Sequence, residues 1–201
     1  MQRVQRHPTT IDSSHRQAGL RGAIPGLHYL PSFLTPERQQ LALDAIDAMP
    51  WRSDLRRRVQ HYGYIYSYRS RRVDVSMYLG PLPPFVAGYA KELLDQQWFA
   101  DMPNQVIVNE YLPSQGIAQH VDCEPCFGNT VATISLGSVY TMDFVHRQSA
   151  ERHSLRLELG SCLILSGEAR HDWSHGIKPR RTDEGHPRGR RVSITFRTVT
   201  V

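Results

Sequence analysis

From Asn104 onward the chain reads as strands alone. The segments NQVIVNEYL, TVATISLGS, VYTMDFVHR, HSLRLELGS, SCLILSG and RRVSITFRTVTV follow one another, joined by Gly/Ser turns. Short strands at this spacing predict an antiparallel sandwich or barrel. The last is the most regular. Across Arg191-Val192-Ser193-Ile194-Thr195-Phe196-Arg197, Val192, Ile194 and Phe196 supply an apolar face, and Arg191, Ser193, Thr195 and Arg197 share the other. The two arginines stand roughly 20 Å apart along such a strand. Two readings are open for this row: a solvent-exposed edge, or a pocket in which two guanidiniums bracket a short dicarboxylate.

The first half of the chain differs. Gly26 to Phe33 reads as a short strand or turn, and Thr35-Pro36-Glu37 opens a helix with Thr as N-cap and Pro at its first position. Leu41, Leu43, Ala45, Ile46 and Ala48 carry that helix to about Met49. Arg58 to Tyr68, RVQHYGYIYSY, is β-rich and aromatic, Pro81 to Pro84 breaks the chain, and Phe85 to Phe99 returns to helix. The class is therefore α+β, with a helical and hairpin half at 25–103 leaning on an all-β half at 104–201.

With 201 residues the chain can bury its own core as one domain. No window approaches eighteen apolar residues, so no membrane span is expected. Residues 1–24 are basic and Ser/Thr-rich without an apolar signal core, which predicts a disordered arm, with a transit peptide as the alternative. Three cysteines, an odd number, predict a reducing compartment, the cytoplasm, and no disulfide framework. The net charge of +5 rests almost wholly on arginine, since only Lys91 and Lys178 are lysines. A basic balance suits a polyanion such as nucleic acid; codon bias is the plainer account of the arginine excess. The clusters Arg56-Arg57-Arg58, Arg69 with Arg71-Arg72, and Lys178 to Arg191 flank the apolar segments.

The stretch QHVDCEPCFG offers two chemistries. On a strand, His120 and Asp122 share a face, a mixed N/O pair suited to Fe(II), Mn or Zn. His175, 55 residues further on in RHDWSHGI, is the candidate third ligand and would complete a two-histidine-one-carboxylate triad. Cys123 and Cys126 instead have the spacing of half a zinc site or of a thiol-disulfide pair. Cys162 lies alone in an apolar strand, where a free thiol behaves as a small hydrophobe. A zinc or thiol binding module built on Cys123 and Cys126 thus stands as an alternative.

Asn109 and Tyr111, then His120 and Asp122, then His175, then Arg191 and Arg197, in this order and on strands, resemble the AlkB family of Fe(II)- and 2-oxoglutarate-dependent dioxygenases. The similarity spans about residues 25–201. RRVQHYGY, SLGS followed by MDF, and SGEAR with WSHGI look closest to the branch that includes the tRNA-wobble-uridine-modifying homologues. The resemblance implies a double-stranded β-helix, or jelly roll, with N-terminal helices and a nucleotide-recognition hairpin lid. It implies Fe(II) on His120, Asp122 and His175, and 2-oxoglutarate and O2 as cosubstrates. Arg191, Tyr111 and Ser193 would take the C5 carboxylate of 2-oxoglutarate, with Arg197 and Asn109 near its C1 end. The implied reaction is oxidative demethylation of N-alkylated bases in DNA or RNA, releasing formaldehyde, succinate and CO2, by a monomer acting on single strands. Hydroxylation of a modified tRNA nucleoside or a protein side chain is the rival within the same chemistry.

For the substrate, the resemblance places the lid at Arg57 to Tyr68. Tyr62, Tyr64 and Tyr66 would stack a flipped base, or else face the core. Glu124, at the parity of His120 and Asp122, would face a cationic methylated base. Arg170, five residues before His175, marks a departure from the founding demethylase. Arg57 and Arg58 are expected to govern affinity for oligonucleotides.

Overall fold

Parity along the strands sorts two environments. In the computed structural model, which describes residues 23–53 and 56–200, ten of the strands make two antiparallel sheets. The larger contains β1 (Leu27–Leu30), β2 (Val59–Tyr62), β3 (Gln105–Tyr111), β5 (Phe127–Leu136), β8 (Cys162–Ser166) and β12 (Arg191–Val199), in the order β1-β8-β5-β12-β3-β2. The smaller contains β4 (Ile117–His120), β6 (Tyr140–His146), β7 (Arg152–Leu157) and β9 (Trp173–Ile177), in the order β4-β9-β6-β7. A separate pair, β10 (Thr182–Asp183) and β11 (His186–Pro187), precedes the last strand. The two sheets form the expected jelly roll.

Helices α1 (Pro36–Asp47) and α2 (Pro84–Asp95) cover the outer face of the larger sheet. Thr35 caps α1 through its hydroxyl, with Pro36 in the first turn, as its sequence requires. Ala42 and Ile46 of α1 and Val86, Ala90 and Leu93 of α2 pack on Val106, Val108, Ala132, Ile134, Cys162, Ile164, Val192, Ile194 and Phe196. Cys162 is the expected buried hydrophobe, its thiol pushed up by burial. The alternate residues of the same strands face the smaller sheet. There Tyr111, Leu163 and Leu165 meet Tyr140, Met142, Phe144, Leu155, Leu157, Trp173 and Ile177. A third short helix, α3 (Gly167–His171), joins β8 to β9.

Because β12 lies between β5 and β3, all but one of its nine residues are buried. The open choice for its polar row is settled: it is not an edge. The expected arm at 1–24 falls outside the described residues except at its end, where Ile24 is already fully buried among the side chains packed between the two sheets. Among the described residues no helix is long and apolar enough to cross a membrane.

One ionic cluster ties the first half to the sheet. Glu110 of β3 is 1% exposed. Its carboxylate accepts from Arg58 Nε at 2.6 Å and from Arg190 Nε at 2.6 Å, and Arg190 also donates to Asp47 at the end of α1. The Arg58 guanidinium further stacks on Trp51 at 5.0 Å. Hydrogen bonds from Arg58 outweigh burial and, with Arg190, hold the Glu110 carboxyl below its ordinary value. A depressed carboxyl pKa contributes stability above the unfolded-state value and loses it as pH falls through the folded-state value. Glu110→Gln should therefore lower stability by about 1–2 kcal/mol at neutral pH. The gap to the unaltered protein should close on acidification, as measured by urea denaturation across pH.

Candidate metal centre and its pocket

The three predicted metal ligands meet through strand pairing. His120, the last residue of β4, lies directly across from His175 of β9, and their ring centroids are 4.5 Å apart. Asp122 follows just beyond the end of β4, and its Oδ2 approaches His175 Nε2 at 3.6 Å. One donor atom from each of the three lies within 4.8 Å of the others. His120 Nδ1 stands 2.9 Å from the carbonyl of Ala118. A carbonyl can only accept, so Nδ1 carries the proton and Nε2 keeps its lone pair for a metal.

The electrostatics suit the same use. Burial would raise the Asp122 carboxyl, but Arg197 first and then His175 and His120 hold it well below the usual carboxylate range. Burial, with the His120 ring beside it, pushes His175 down to about 3. An ionised carboxylate and a neutral imidazole are the forms that bind a cation. Nitrogen and oxygen donors in this number match a first-row metal such as iron, with coordination positions left open.

Behind the triad lies a cavity of about 470 Å³ between the two sheets. The polar row of β12 lines it: Arg191, Ser193, Thr195 and Arg197, beside Asn109 and Tyr111 of β3. Register explains the grouping, since Arg191 pairs with Tyr111 and Ser193 with Asn109. Arg197 turns to Asp122, with Nη2 at 2.6 Å from Oδ1.

Arg191 is different. It is 1% exposed, donates Nη2 to Ser135 Oγ at 2.9 Å, and leaves Nε without a partner. No carboxylate pairs with it among the described residues. Its guanidinium instead stacks on Tyr111 at 5.3 Å and Tyr140 at 5.9 Å. Burial pushes its pKa down. A desolvated cation with an orphaned donor, at the wall of a cavity, fits an anionic ligand that completes it.

The expected substrate residues are scattered. Gly63 takes φ +74°, and a Cβ there would lie 1.8 Å from the carbonyl oxygen of Asn104, so the strand must turn. Tyr62 consequently packs with the outer core and edge-on to Phe85, whereas Tyr64 and Tyr66 pack around Val73, Cys123, Cys126 and Phe127. Of the three, only Tyr66 lines the cavity, joined by Tyr68, which the sequence did not single out. Glu124 is not on a strand: residues 124–126 form a turn. Its carboxylate meets His171 Nδ1 at 3.1 Å and Arg147 at 3.7 Å, outside the cavity lining. Arg170 is buried and donates to the carbonyls of Asp122 and Cys123, bracing the backbone beneath the metal ligand. Arg57 and Arg58 are both engaged within the protein, Arg57 with Asn109 and Arg58 with Glu110.

The same turn realises the thiol-disulfide pair that the spacing of Cys123 and Cys126 offered, a single bond and not a framework. It brings the Cα atoms of Cys123 and Cys126 to 5.3 Å, and their sulfurs are bonded to each other. A disulfide offers no thiolate to zinc, and His120, Asp122 and His175 are the one metal-competent set among the described residues.

A family model described as the 2OG-Fe(II) oxygenase superfamily matches residues 26–197. The chain is 35% identical over 167 residues to the Xenopus tropicalis tRNA (carboxymethyluridine(34)-5-O)-methyltransferase alkbh8, covering 79% of this chain and 26% of that one. It is 34% identical to the Arabidopsis thaliana alkylated DNA repair protein ALKBH8 homolog, covering 88% and 59%. With the uncharacterized protein L905 of Acanthamoeba polyphaga mimivirus it shares 33% identity, covering 87% and 85%. The chain thus spans from about a quarter to three fifths of the two ALKBH8 relatives. Among solved structures, OsALKBH1 superposes with a TM-score of 0.63 at 21% identity, covering 87% of this chain and 97% of that one, which supports the fold.

For the metal, His120→Ala is expected to abolish stoichiometric Mn(II) binding measured by calorimetry. The Cys123→Ser/Cys126→Ser double variant should retain it. The reverse pattern would move the metal to the cysteines.

Proposed function

Because the chain belongs to the 2OG-Fe(II) oxygenase superfamily and, within it, to the AlkB family, with Fe(II), 2-oxoglutarate and O2 as its cofactors, we propose that it oxidises a C–H bond on a modified base of nucleic acid, with a preference for uncharged or acidic modifications. His120, Asp122 and His175 hold the iron in this reading. Arg191, with Tyr111 and Ser193, takes the C5 carboxylate of 2-oxoglutarate, while Asn109 and Arg197 serve the C1 end. Bound there, iron and 2-oxoglutarate supply the oxidising chemistry, with succinate and CO2 as co-products.

The protein's own groups orient and select. Arg197 holds Asp122 ionised and aligned. Phe127, Met142, Leu163 and Leu165 make the cavity wall apolar and limit water. Tyr66 and Tyr68, edge-on to each other at 5.1 Å, offer aromatic surface at the mouth for an unstacked base. Arg71, exposed at the same mouth, and Arg69 beside it suit a phosphate backbone.

The observation that carries the substrate preference is the charge of the lining. Arg57, Arg71, Arg191 and Arg197 line the cavity against the single carboxylate of Asp122. A dicarboxylate cosubstrate offsets Arg191 and Arg197 and leaves Arg57 and Arg71. A base carrying positive charge, as N1-methyladenine and N3-methylcytosine do, would enter a cationic site whose one additional carboxylate candidate, Glu124, is engaged with His171 and Arg147. A neutral ring-N-methyl base, or a uridine bearing a carboxymethyl group or its ester, meets no such repulsion. The carboxymethyluridine in the name of the Xenopus relative favours the second kind. Oxidative demethylation remains the outcome wherever the oxidised carbon sits on a ring nitrogen, because the hydroxymethyl product then releases formaldehyde.

Succinate release should be measured with single-stranded DNA and RNA oligonucleotides and tRNA anticodon stems. The panel carries N1-methyladenine, N3-methylcytosine, N1-methylguanine, N3-methyluracil, carboxymethyluridine or its methyl ester. The expected result is stimulation about tenfold or more greater with neutral and acidic modifications than with cationic ones, a difference of about 1.4 kcal/mol. Stimulation by the cationic bases alone would overturn the charge preference and reinstate demethylation of cationic N-alkylated bases. Succinate turnover stimulated by no nucleic acid would point to a protein side chain.

A further inference from the structure

Arg57 is not where an oligonucleotide-binding residue should be. It precedes β2, is only partly exposed, and donates Nε to Asn109 Oδ1 at 2.9 Å inside the cavity lining. Its guanidinium lies 5.7 Å from the ring centroid of Tyr68 at the cavity mouth and 5.8 Å from that of Tyr111 on β3. Tyr111 in turn carries Arg191 at 5.3 Å, and Arg191 neighbours Tyr140. Guanidiniums and phenol rings therefore alternate from the mouth to the buried end: Tyr68, Arg57, Tyr111, Arg191, Tyr140. Tyr111 lies between the Arg57 and Arg191 guanidiniums and presents its π-system to both.

We infer that Arg57 is a positioning residue for 2-oxoglutarate, fixing the Asn109 amide as a donor to the cosubstrate and linking the mouth of the cavity to its occupancy. The inference rests on the cosubstrate site proposed above. Its chemical basis is the donor inventory. Arginine has five N–H donors and no acceptor, whereas an Asn side chain presents either an oxygen or an NH2 group. The atom of Asn109 facing Arg57 Nε must be its oxygen, and the NH2 remains as the donor group. Asn109 pairs with Ser193 on β12, next to the position where Arg191 pairs with Tyr111. The amide thereby joins a row of donors, which an acceptor-only carboxylate ligand needs. Without Arg57 the amide is free to rotate and present its oxygen to that carboxylate, a repulsive contact. Lysine at 57 would keep the charge but lose the planar fork held between two rings.

The test is calorimetric binding of 2-oxoglutarate to protein loaded with Mn(II), which needs no turnover. The variants are Arg57→Gln, Arg57→Lys, Asn109→Ala, the Arg57→Gln/Asn109→Ala double, and Arg191→Gln as control. Each binds Mn(II) if the triad is intact, and circular dichroism checks its fold. Arg57→Gln should weaken 2-oxoglutarate by about tenfold, in the range of one lost charge-assisted hydrogen bond. Arg57→Lys should recover at most part of that loss. The double variant should bind no more weakly than Asn109→Ala alone, because Arg57 acts through Asn109. In turnover, the KM for 2-oxoglutarate should rise while that for an oligonucleotide carrying a neutral modified base stays within about twofold.

Full recovery by lysine would overturn the inference, showing a charge effect alone. Additive losses in the double variant, or unchanged 2-oxoglutarate affinity with weakened oligonucleotide binding, would overturn it too. If the unaltered protein failed to bind 2-oxoglutarate, or Arg191→Gln bound it equally well, the cosubstrate site itself would be wrong. Those results are distinct from failure of the Arg57 variants alone.

Discussion

Strand β12 has to satisfy two incompatible neighbours, and most of the molecule follows from how it does so. Its central place between β5 and β3 buries both faces. One face must then be apolar to accept α1 and α2, and Val192, Ile194 and Phe196 are. The other looks into the cavity with Arg191, Ser193, Thr195 and Arg197. Burying two guanidiniums on a central strand is costly unless each is answered by an acceptor or an anion. Arg197 is answered by Asp122 and Gln105. Arg191 has Ser135 and two aromatic faces, with Nε left over. The unanswered part of that charge is what an anionic ligand in the cavity would complete.

In the proposed reading the same charge distribution joins metal, cosubstrate and substrate into one electrostatic problem. Arg197 keeps the Asp122 carboxylate ionised while standing in the polar row of β12 that lines the cavity. Arg57 reaches the same row from the opposite side through Asn109. With so many guanidiniums around one carboxylate, the proposed selection against a cationic base would need no dedicated residue. Glu110, on the outer face of β3, performs the complementary task of neutralising Arg58 and Arg190 where helix and sheet meet.

The triad was legible in the sequence because His120 and Asp122 stand two residues apart and His175, 55 residues further on, completes a familiar order. His120 and His175 face each other across an antiparallel pair. The substrate side was not legible, and the reasons are specific. Parity sets Glu124 beside Asp122 only along a strand, and the chain leaves β4 at His120 and turns at 124–126. The alternation of Tyr62, Tyr64 and Tyr66 is broken by the positive φ of Gly63, a visible signal whose effect depends on the carbonyl of Asn104 packed against it. Cys123 and Cys126 lacked distant partners, but the turn made them partners of each other. Arg57 and Arg58 read as surface charge because nothing nearby in sequence announces Asn109 or Glu110, 52 residues away.

Period-two alternation and the capped helix at Thr35 determined the strands and the first helix, and the order of Asn109, Tyr111, His120, Asp122, His175, Arg191 and Arg197 pointed to the triad and to the polar row that lines the cavity. These features are local, or are set by strand register. What only the tertiary structure decided is which arginines have spare charge and which are spent inside the protein. Asp122 takes Arg197, Glu110 takes Arg58 and Arg190, Asn109 takes Arg57, and no carboxylate takes Arg191 among the described residues. A guanidinium's role depends on the acceptor that folding brings to it, and those acceptors lie tens of residues away in the chain.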